Sequence, residues 1–241
     1  MSYPENNEFK KIQFYLTANY NCGYISGKKA QSIVASPYQN IKQKEFDNLI
    51  NIGFRRSGNH VYKPHCHECE ACVPIRLNVK DFKPNKSQIR CLNKNNFEVI
   101  ISDLNFNSED FQLYQQYQSI RHQDQSTSEE DQKNEYINFL LTSNIKSQMI
   151  KFFIQDKLVM VSIVDILVDG ISAVYTFYDQ NLPKLGLGTY SILWLIDWCK
   201  KNKLPYLYLG YWISDNAKMS YKTRFKPYEL LNKKEWKKFN E

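Results

Sequence analysis

Three of the chain's six cysteines stand within seven residues, in Cys66-His67-Glu68-Cys69-Glu70-Ala71-Cys72. His65 and His67 flank the first of them, and Pro64 and Pro74 bracket the run. A C-x2-C-x2-C spacing returns each thiol to about the same side of a tight loop, as the ligands of a soft metal or an iron–sulfur cluster require. Prolines at both ends restrict the free loop, so less entropy is lost when the ligands are fixed. Cys22, in the turn Asn21-Cys22-Gly23-Tyr24, is the candidate fourth ligand, or else a buried free thiol. The expected metal set is therefore Cys22, Cys66, Cys69 and Cys72, with zinc and an iron–sulfur cluster both open. A loop of ordinary thiols is the plain alternative. Cys91 and Cys199 break the spacing and are expected to be core or free thiols.

A second group of residues suits anions. Arg55 and Arg56 lie between Gly53 and Gly58, beside the strand-like Val61-Tyr62. A guanidinium fork binds carboxylate or phosphate bidentately. Lys83, Lys86, Arg90 and Lys94 step at threes and fours through a proline turn and a helix, so they are expected to share a face suited to phosphates. Lys218, Lys222 and Arg224 fall in a short helix expected over 214–224. For each set a solvated basic surface is the alternative. His122, the one histidine remote from the cysteines, could act as a general base, although a single histidine is more often structural.

The elements that must position these groups change character along the chain. The first part reads as a strand over 10–16, an amphipathic helix over 41–51, a strand over 73–79 with Arg76 opposite Ile75 and Leu77, and a strand over 97–101. Helices are expected over 107–122 and 135–141, with a polar loop over 123–132 between them. From residue 149 strands follow at 149–154, 158–167 and 171–178, joined by hairpin turns. A Gly186-Leu187-Gly188 loop then precedes an apolar helix over 189–201 and a strand over 205–212. The tail, Lys233-Lys234-Glu235-Trp236-Lys237-Lys238, reads as basic and exposed. These readings divide the chain into a cysteine-rich region, 1–105, and a transferase-like region, 106–241.

The 241 residues are 42% hydrophobic and 15% aromatic, which excludes a disordered chain. The net charge of +7 fits an anionic partner such as RNA. The polar, acidic start reads as no secretory leader, and no apolar run approaches the ~18 residues of a membrane span. A cytoplasmic protein is expected, with no membrane or DNA partner. In that reducing compartment the cysteines argue for metal or redox chemistry rather than disulfides.

Three antiparallel strands, a glycine loop, a helix and a further strand follow the order of a GNAT-type acyltransferase core. The expected fold class is α+β: a GNAT-like antiparallel sheet flanked by helices, with an N-terminal cysteine-rich region. The acetyl-CoA version carries Gln or Arg three residues before its Gly-x-Gly/Ala, and here that position is Pro183. No coenzyme A is therefore expected as cofactor; no nucleotide is expected either. Several blocks recur in order along the chain. They are Cys22-Gly23-Tyr24-Ile25, Gly53-Phe54-Arg55-Arg56-Ser57-Gly58, Tyr62-Lys63-Pro64 with the cysteine array, Pro84-Asn85-Lys86-Ser87-Gln88, Val174-Tyr175-Thr176-Phe177-Tyr178-Asp179, Leu187-Gly188-Thr189-Tyr190, Tyr208-Leu209-Gly210-Tyr211-Trp212-Ile213 and Lys218-Met219-Ser220-Tyr221-Lys222. Together they resemble the aminoacyl-tRNA–protein transferase family. The short length and three-cysteine array resemble its bacterial branch, the aspartate/glutamate leucyltransferases. The longer arginyltransferases have Cys-x-x-Cys where this chain has Cys22-Gly23-Tyr24-Ile25.

The resemblance implies transfer of leucine from Leu-tRNA to the α-amine of proteins beginning with Asp or Glu, which marks them for degradation. Arginine from Arg-tRNA is the alternative donor. A zinc-dependent RNA-binding module without catalysis and a coenzyme-A-dependent N-acyltransferase are the rival readings. For the implied reaction, Arg55, Arg56 and Arg76 are candidates to hold the acidic side chain. Asp179 is the candidate proton acceptor, with Tyr175, Tyr211 and Tyr221 lining the pocket. Backbone amides around 186–189, or a tyrosine hydroxyl, would stabilise the oxyanion. Lys83, Lys86, Arg90, Lys218, Lys222 and Arg224 are candidates for tRNA phosphates.

Overall fold

The computed structural model describes residues 12–36, 41–121 and 128–240. Strands β1 (Gln13–Leu16), β2 (Tyr20–Asn21), β3 (Lys29–Ala30) and β4 (Ser32–Ser36) lead to helix α1 (Gln43–Asn51). The hairpin β5 (Arg55–Ser57) and β6 (His60–Pro64) follows. β2 and β3 pair with each other, and the rest form an antiparallel sheet in the order β1-β4-β6-β5. In α1, Phe46, Leu49 and Ile50 recur at threes and fours and are buried, which is why the amphipathic reading holds.

The remaining elements are β7 (Val73–Asn78), α2 (Lys86–Lys94), β8 (Glu98–Ser102), α3 (Ser108–Arg121), α4 (Glu129–Tyr136), β9 (Ser147–Ile154), β10 (Lys157–Ile166), β11 (Gly170–Tyr178), α5 (Leu187–Lys201), β12 (Tyr206–Trp212), β13 (Tyr228–Asn232) and β14 (Glu235–Phe239). Their eight strands form one sheet in the order β14-β13-β7-β12-β11-β10-β9-β8. Every pairing in it is antiparallel except β11 with β12, whose parallel crossover is made by α5. This is the expected mixed architecture of a large sheet with helices against it. β7 lies inside the sheet, between β13 and β12, so the sheet takes strands from both the 1–105 and 106–241 stretches. Among the described residues no helix is long and apolar enough to cross a membrane.

Several expectations need correction. The basic tail is exposed as expected, with Trp236 half-buried, but it is ordered as the hairpin β13–β14. Its turn residues Lys233 and Lys234 both have positive φ, 48° and 72°, without the Gly or Asn that normally announces such a turn. Residues 214–219 are not helical, and only a 3-10 turn forms at Ser220–Arg224. Residues 129–132, expected in a loop, open α4, because the Ser128 hydroxyl accepts from the Asp131 amide and caps it. α2 begins at Lys86 after the Asn85 cap, so Lys83 precedes the helix and does not share its face. His122 and residues 123–127 lie outside the described residues.

α5 is held by its apolar side. Leu187, Tyr190, Ile192, Leu193, Leu195, Ile196 and Cys199 are buried against the sheet. Burial of a large apolar side chain is worth about 1.5–3 kcal/mol before entropy is counted. That fixes the helix start, Gly186–Thr189, at the end of β11: a Cβ on Gly188 would lie 3.4 Å from the Tyr178 ring.

Candidate active site

β11 and β12 pair over three positions only, Gly170 with Tyr206, Ile171 with Leu207 and Ser172 with Tyr208. Each strand then continues unpaired with the other, β11 to Tyr178 and β12 to Trp212. The centre of the sheet thus opens into a V. On the far side of β12 the register with β7 shifts between Tyr208 and Tyr211, around Gly210 at φ +80°. Glycine is at home in this left-handed conformation, and the irregularity turns β12 away from β11.

Arg55 fills the apex. Its Nη2 donates to the Ala173 carbonyl of β11 at 2.5 Å, and its guanidinium lies 3.6–3.7 Å from where a Cβ on Gly210 of β12 would stand. The residue is 8% exposed, and its Nη1 is buried without a hydrogen-bond partner. Burial lowers its pKa, against the pull of Tyr211, Tyr62 and Asp165. A buried guanidinium nitrogen that lacks an acceptor is costly, so it marks a place where an anion would be welcome.

Other groups converge on the same end of the V. The Tyr211 hydroxyl donates to the Gly53 carbonyl at 2.8 Å, and the buried Lys222 Nζ donates to the Tyr211 carbonyl at 2.6 Å. Burial, assisted by Arg55, pushes the Lys222 ammonium down to about 7, while Cys72 opposes the shift. Tyr62, opposite Arg55 across the β5–β6 pair, has its phenol raised by burial, and Tyr211 is raised well above the usual range for the same cause.

The cysteine loop adjoins this wedge. Burial pushes the Cys72 thiol up to about 11, and Cys66, Cys22 and Cys69 add to the rise. All four thiols are free and half-buried. Cys66 and Cys69 face each other in a β-bridge, and Cys22 Sγ accepts from the Ile25 amide at 3.4 Å. Four neighbouring thiols are a donor set for a soft cation, which would deprotonate them. Among the described residues no three such groups already stand at metal-binding separations.

The family description "Arginine-tRNA-protein transferase, N terminus" matches residues 20–90, and "Arginine-tRNA-protein transferase, C terminus" matches 109–232. The chain belongs to this family. Among its transferase relatives, the aspartate/glutamate leucyltransferase of Methylobacillus flagellatus is 48% identical, over 98% of this chain and 96% of that protein. The protein of that description from Thiobacillus denitrificans is 43% identical over 97% of this chain and 98% of its own length. The one from Chromobacterium violaceum is 40% identical over 98% of both. The fold is also shared with a solved structure, the C-terminal domain of a putative lysylphosphatidylglycerol synthetase from Agrobacterium fabrum. The TM-score is 0.50 at 8% identity, over 70% of this chain and 59% of that one.

For a transferase of this family, the arrangement separates the three arginines expected at the site. Arg56 points away from Arg55 and is fully engaged. Its Nε and Nη2 grip Asp165 at 2.6–3.1 Å, and its Nη1 donates to the Gly58 and Thr142 carbonyls. Arg76 binds Glu229 at 2.6 Å and lies between the rings of Tyr206 and Trp236, at 3.7 and 4.2 Å. Both are tied into the frame, and only Arg55 keeps an unused donor in the V. Tyr211 and Lys222 stand with it.

Asp179 closes the turn after β11. It accepts from Lys157 Nζ at 3.0 Å and from the Asn181 amide at 2.9 Å. Burial raises its carboxyl, but these donors outweigh it and hold the pKa below the ordinary 3.8. Tyr175 packs edge-on against Phe139, Tyr114 and Tyr117, with its hydroxyl 3.4 Å from Gln118 Oε1. Tyr221, Lys83, Lys86, Arg90, Lys218 and Arg224 are exposed. α2 is tied to the Ser220–Arg224 turn by Gln88 Nε2, which donates to the Arg224 carbonyl. Sequence reasoning missed Tyr62 and Gly210. The first has no local signal, but an isolated glycine inside a strand pattern announces a bulge or a close approach, as Gly210 provides.

Proposed function

We propose that this chain transfers leucine from Leu-tRNA to the α-amine of proteins whose first residue is Asp or Glu, marking them for degradation in the cytoplasm. The observation that carries the reading is the near end-to-end match to relatives named aspartate/glutamate leucyltransferase. The V between β11 and β12 supports a GNAT-like use of the sheet, in which the splayed strands admit an acyl donor.

The acceptor amine, once neutral, attacks the ester carbonyl of the aminoacyl-tRNA. The N–C bond forms, the C–O bond to the ribose breaks, and the ribose oxygen leaves with a proton. An α-amine has a reference pKa near ~8, so its deprotonation costs little at neutral pH. Arg55 Nη1 takes the carboxylate of the first residue, which replaces the missing acceptor at the apex. Amides at the start of α5 are the candidate donors to the oxyanion. Cys22, Cys66, Cys69 and Cys72 would hold zinc or an iron–sulfur cluster, and a group bound there would link the turn at Cys22 to the 66–72 loop beside the wedge.

The test offers purified protein labelled Leu-tRNA or Arg-tRNA and peptides beginning with Asp, Glu, Asn or Lys. Leucine on the Asp and Glu peptides alone is the expected result. Arginine in its place would move the donor, and no transfer from either would overturn the reading. Arg55→Gln should erase the preference for Asp over Asn, a drop of roughly 10–100-fold in kcat/KM for removing one charged hydrogen-bond donor.

A further inference from the structure

A second basic feature lies beside the loop that leads into α5. A pocket of about 380 Å³ opens between α2 and the loop before α5, lined by Ser87, Arg90, Cys91, Lys94, Lys184 and Gly186. Three cations, Arg90, Lys94 and Lys184, share it, and among the described residues none is in an ion pair. Like charges gathered around a concavity without a counter-ion repel one another, and an anion between them relieves that cost.

The loop is built so that its acceptors are already used. Lys94 Nζ donates to the Lys184 carbonyl at 2.8 Å, and Asn95 Nδ2 to the Leu185 carbonyl at 2.9 Å. Cys91 Sγ reaches the Leu185 and Gly186 carbonyls at 3.7 Å. Gly186 has φ +63°, and a Cβ there would be in ordinary contact with that sulfur, 3.5 Å away. With these carbonyls turned into α2, the pocket is left to cations and to the start of α5, which no side chain caps. Its place matters too. Gly188 packs on Tyr178, the last residue of β11 at the open end of the V.

We propose that this pocket is a phosphodiester subsite, taking a backbone phosphate of the single-stranded 3′ end of the donor RNA as it enters the V. The inference rests on the transferase reading for the identity of the RNA, but not for the existence of the site. A shallow pocket rimmed by exposed Arg90, Lys94 and Lys184 suits a phosphate that passes through during each cycle of loading and release. It also explains why the α5 loop is tied to α2 on its acceptor side.

The experiment uses the full chain and a fluorescent RNA hairpin with a single-stranded 3′ tail, with anisotropy read from 50 to 200 mM salt. The variants are R90Q/K94Q/K184Q, K184Q alone, and K237Q on β14 as a remote charge control. The triple variant should bind roughly tenfold more weakly at low salt. Its plot of log affinity against log salt should flatten by about 0.7 for each single-strand phosphate that is no longer neutralised. K184Q should show part of the effect and K237Q none, and removing the tail should erase the difference between wild type and triple variant. Unchanged affinity and slope in a triple variant, or in K184Q if the triple variant melts early, would overturn the proposal. So would coenzyme A stabilising the wild type but not the triple variant. Leucine transfer is measured on the same preparations. A wild type that transfers leucine beside a triple variant that binds RNA normally refutes the subsite alone; pocket-dependent RNA binding without transfer refutes the transferase reading alone.

Discussion

Arg56 and Arg55 are neighbours in sequence and should fail in opposite ways. Arg56→Met is the sharper perturbation. The side chains of Arg56 and Asp165 are 1% and 0% exposed, and the guanidinium spans from β5 to β10. Methionine keeps the apolar stem but leaves the Asp165 carboxylate to the Ser147 hydroxyl, at 2.7 Å. Removing one partner of a buried pair costs about 3–5 kcal/mol, mostly because the other charge is stranded. For a chain of this size each kcal/mol moves Tm by about 2–4 °C, so the melting temperature should fall by roughly 6–20 °C. Thermal and urea denaturation of R56M, D165L and the double variant read it. The double variant should recover a good part of the loss, since no charge remains unpaired. If R56M melts within about 2 °C of wild type and loses its preference for acidic peptides, the division of labour between the two arginines is wrong.

Further outcomes follow from the same geometry. Gly170→Ala would place a Cβ 2.2 Å from the Tyr206 carbonyl oxygen, where β11 and β12 still pair, so the variant should lose at least ~2 kcal/mol in urea melts; near-wild-type stability would show that the apex can shift. Asp179 has a folded pKa below its ordinary 3.8, so its stabilisation is fully present above that value and is lost as pH falls through the folded pKa. D179N should therefore lower Tm in the neutral range and flatten its acid limb, and an unchanged acid limb would remove the carboxylate from the turn's stability. Elemental analysis of protein from metal-replete cells should find about one zinc or one iron–sulfur cluster per chain, lost in C69S together with Tm. A metal-free wild type of normal stability would make the four thiols an ordinary loop.

The candidate motifs were legible without coordinates. Residue type and spacing are local properties, and they sufficed for the cysteine array, the paired arginines, the basic α2 and the ordered family blocks. The strands of the meander and α1, α3 and α5 were legible for the same reason, because periodicity is written into adjacent residues. The β13–β14 hairpin was not, since its Lys233-Lys234 turn carries no turn-forming residue and its stability comes from Arg76, Tyr208 and Trp236 packing across the sheet. Nor could spacing rank the arginines. Arg55 and Arg56 have the same chemistry and adjacent positions, and alternation on β5 sends them to opposite faces. One meets Asp165, 109 residues away in sequence, and the other meets an open V with a nitrogen to spare. Which donors remain free depends on every partner the fold brings near, and that is decided only when distant strands are placed side by side.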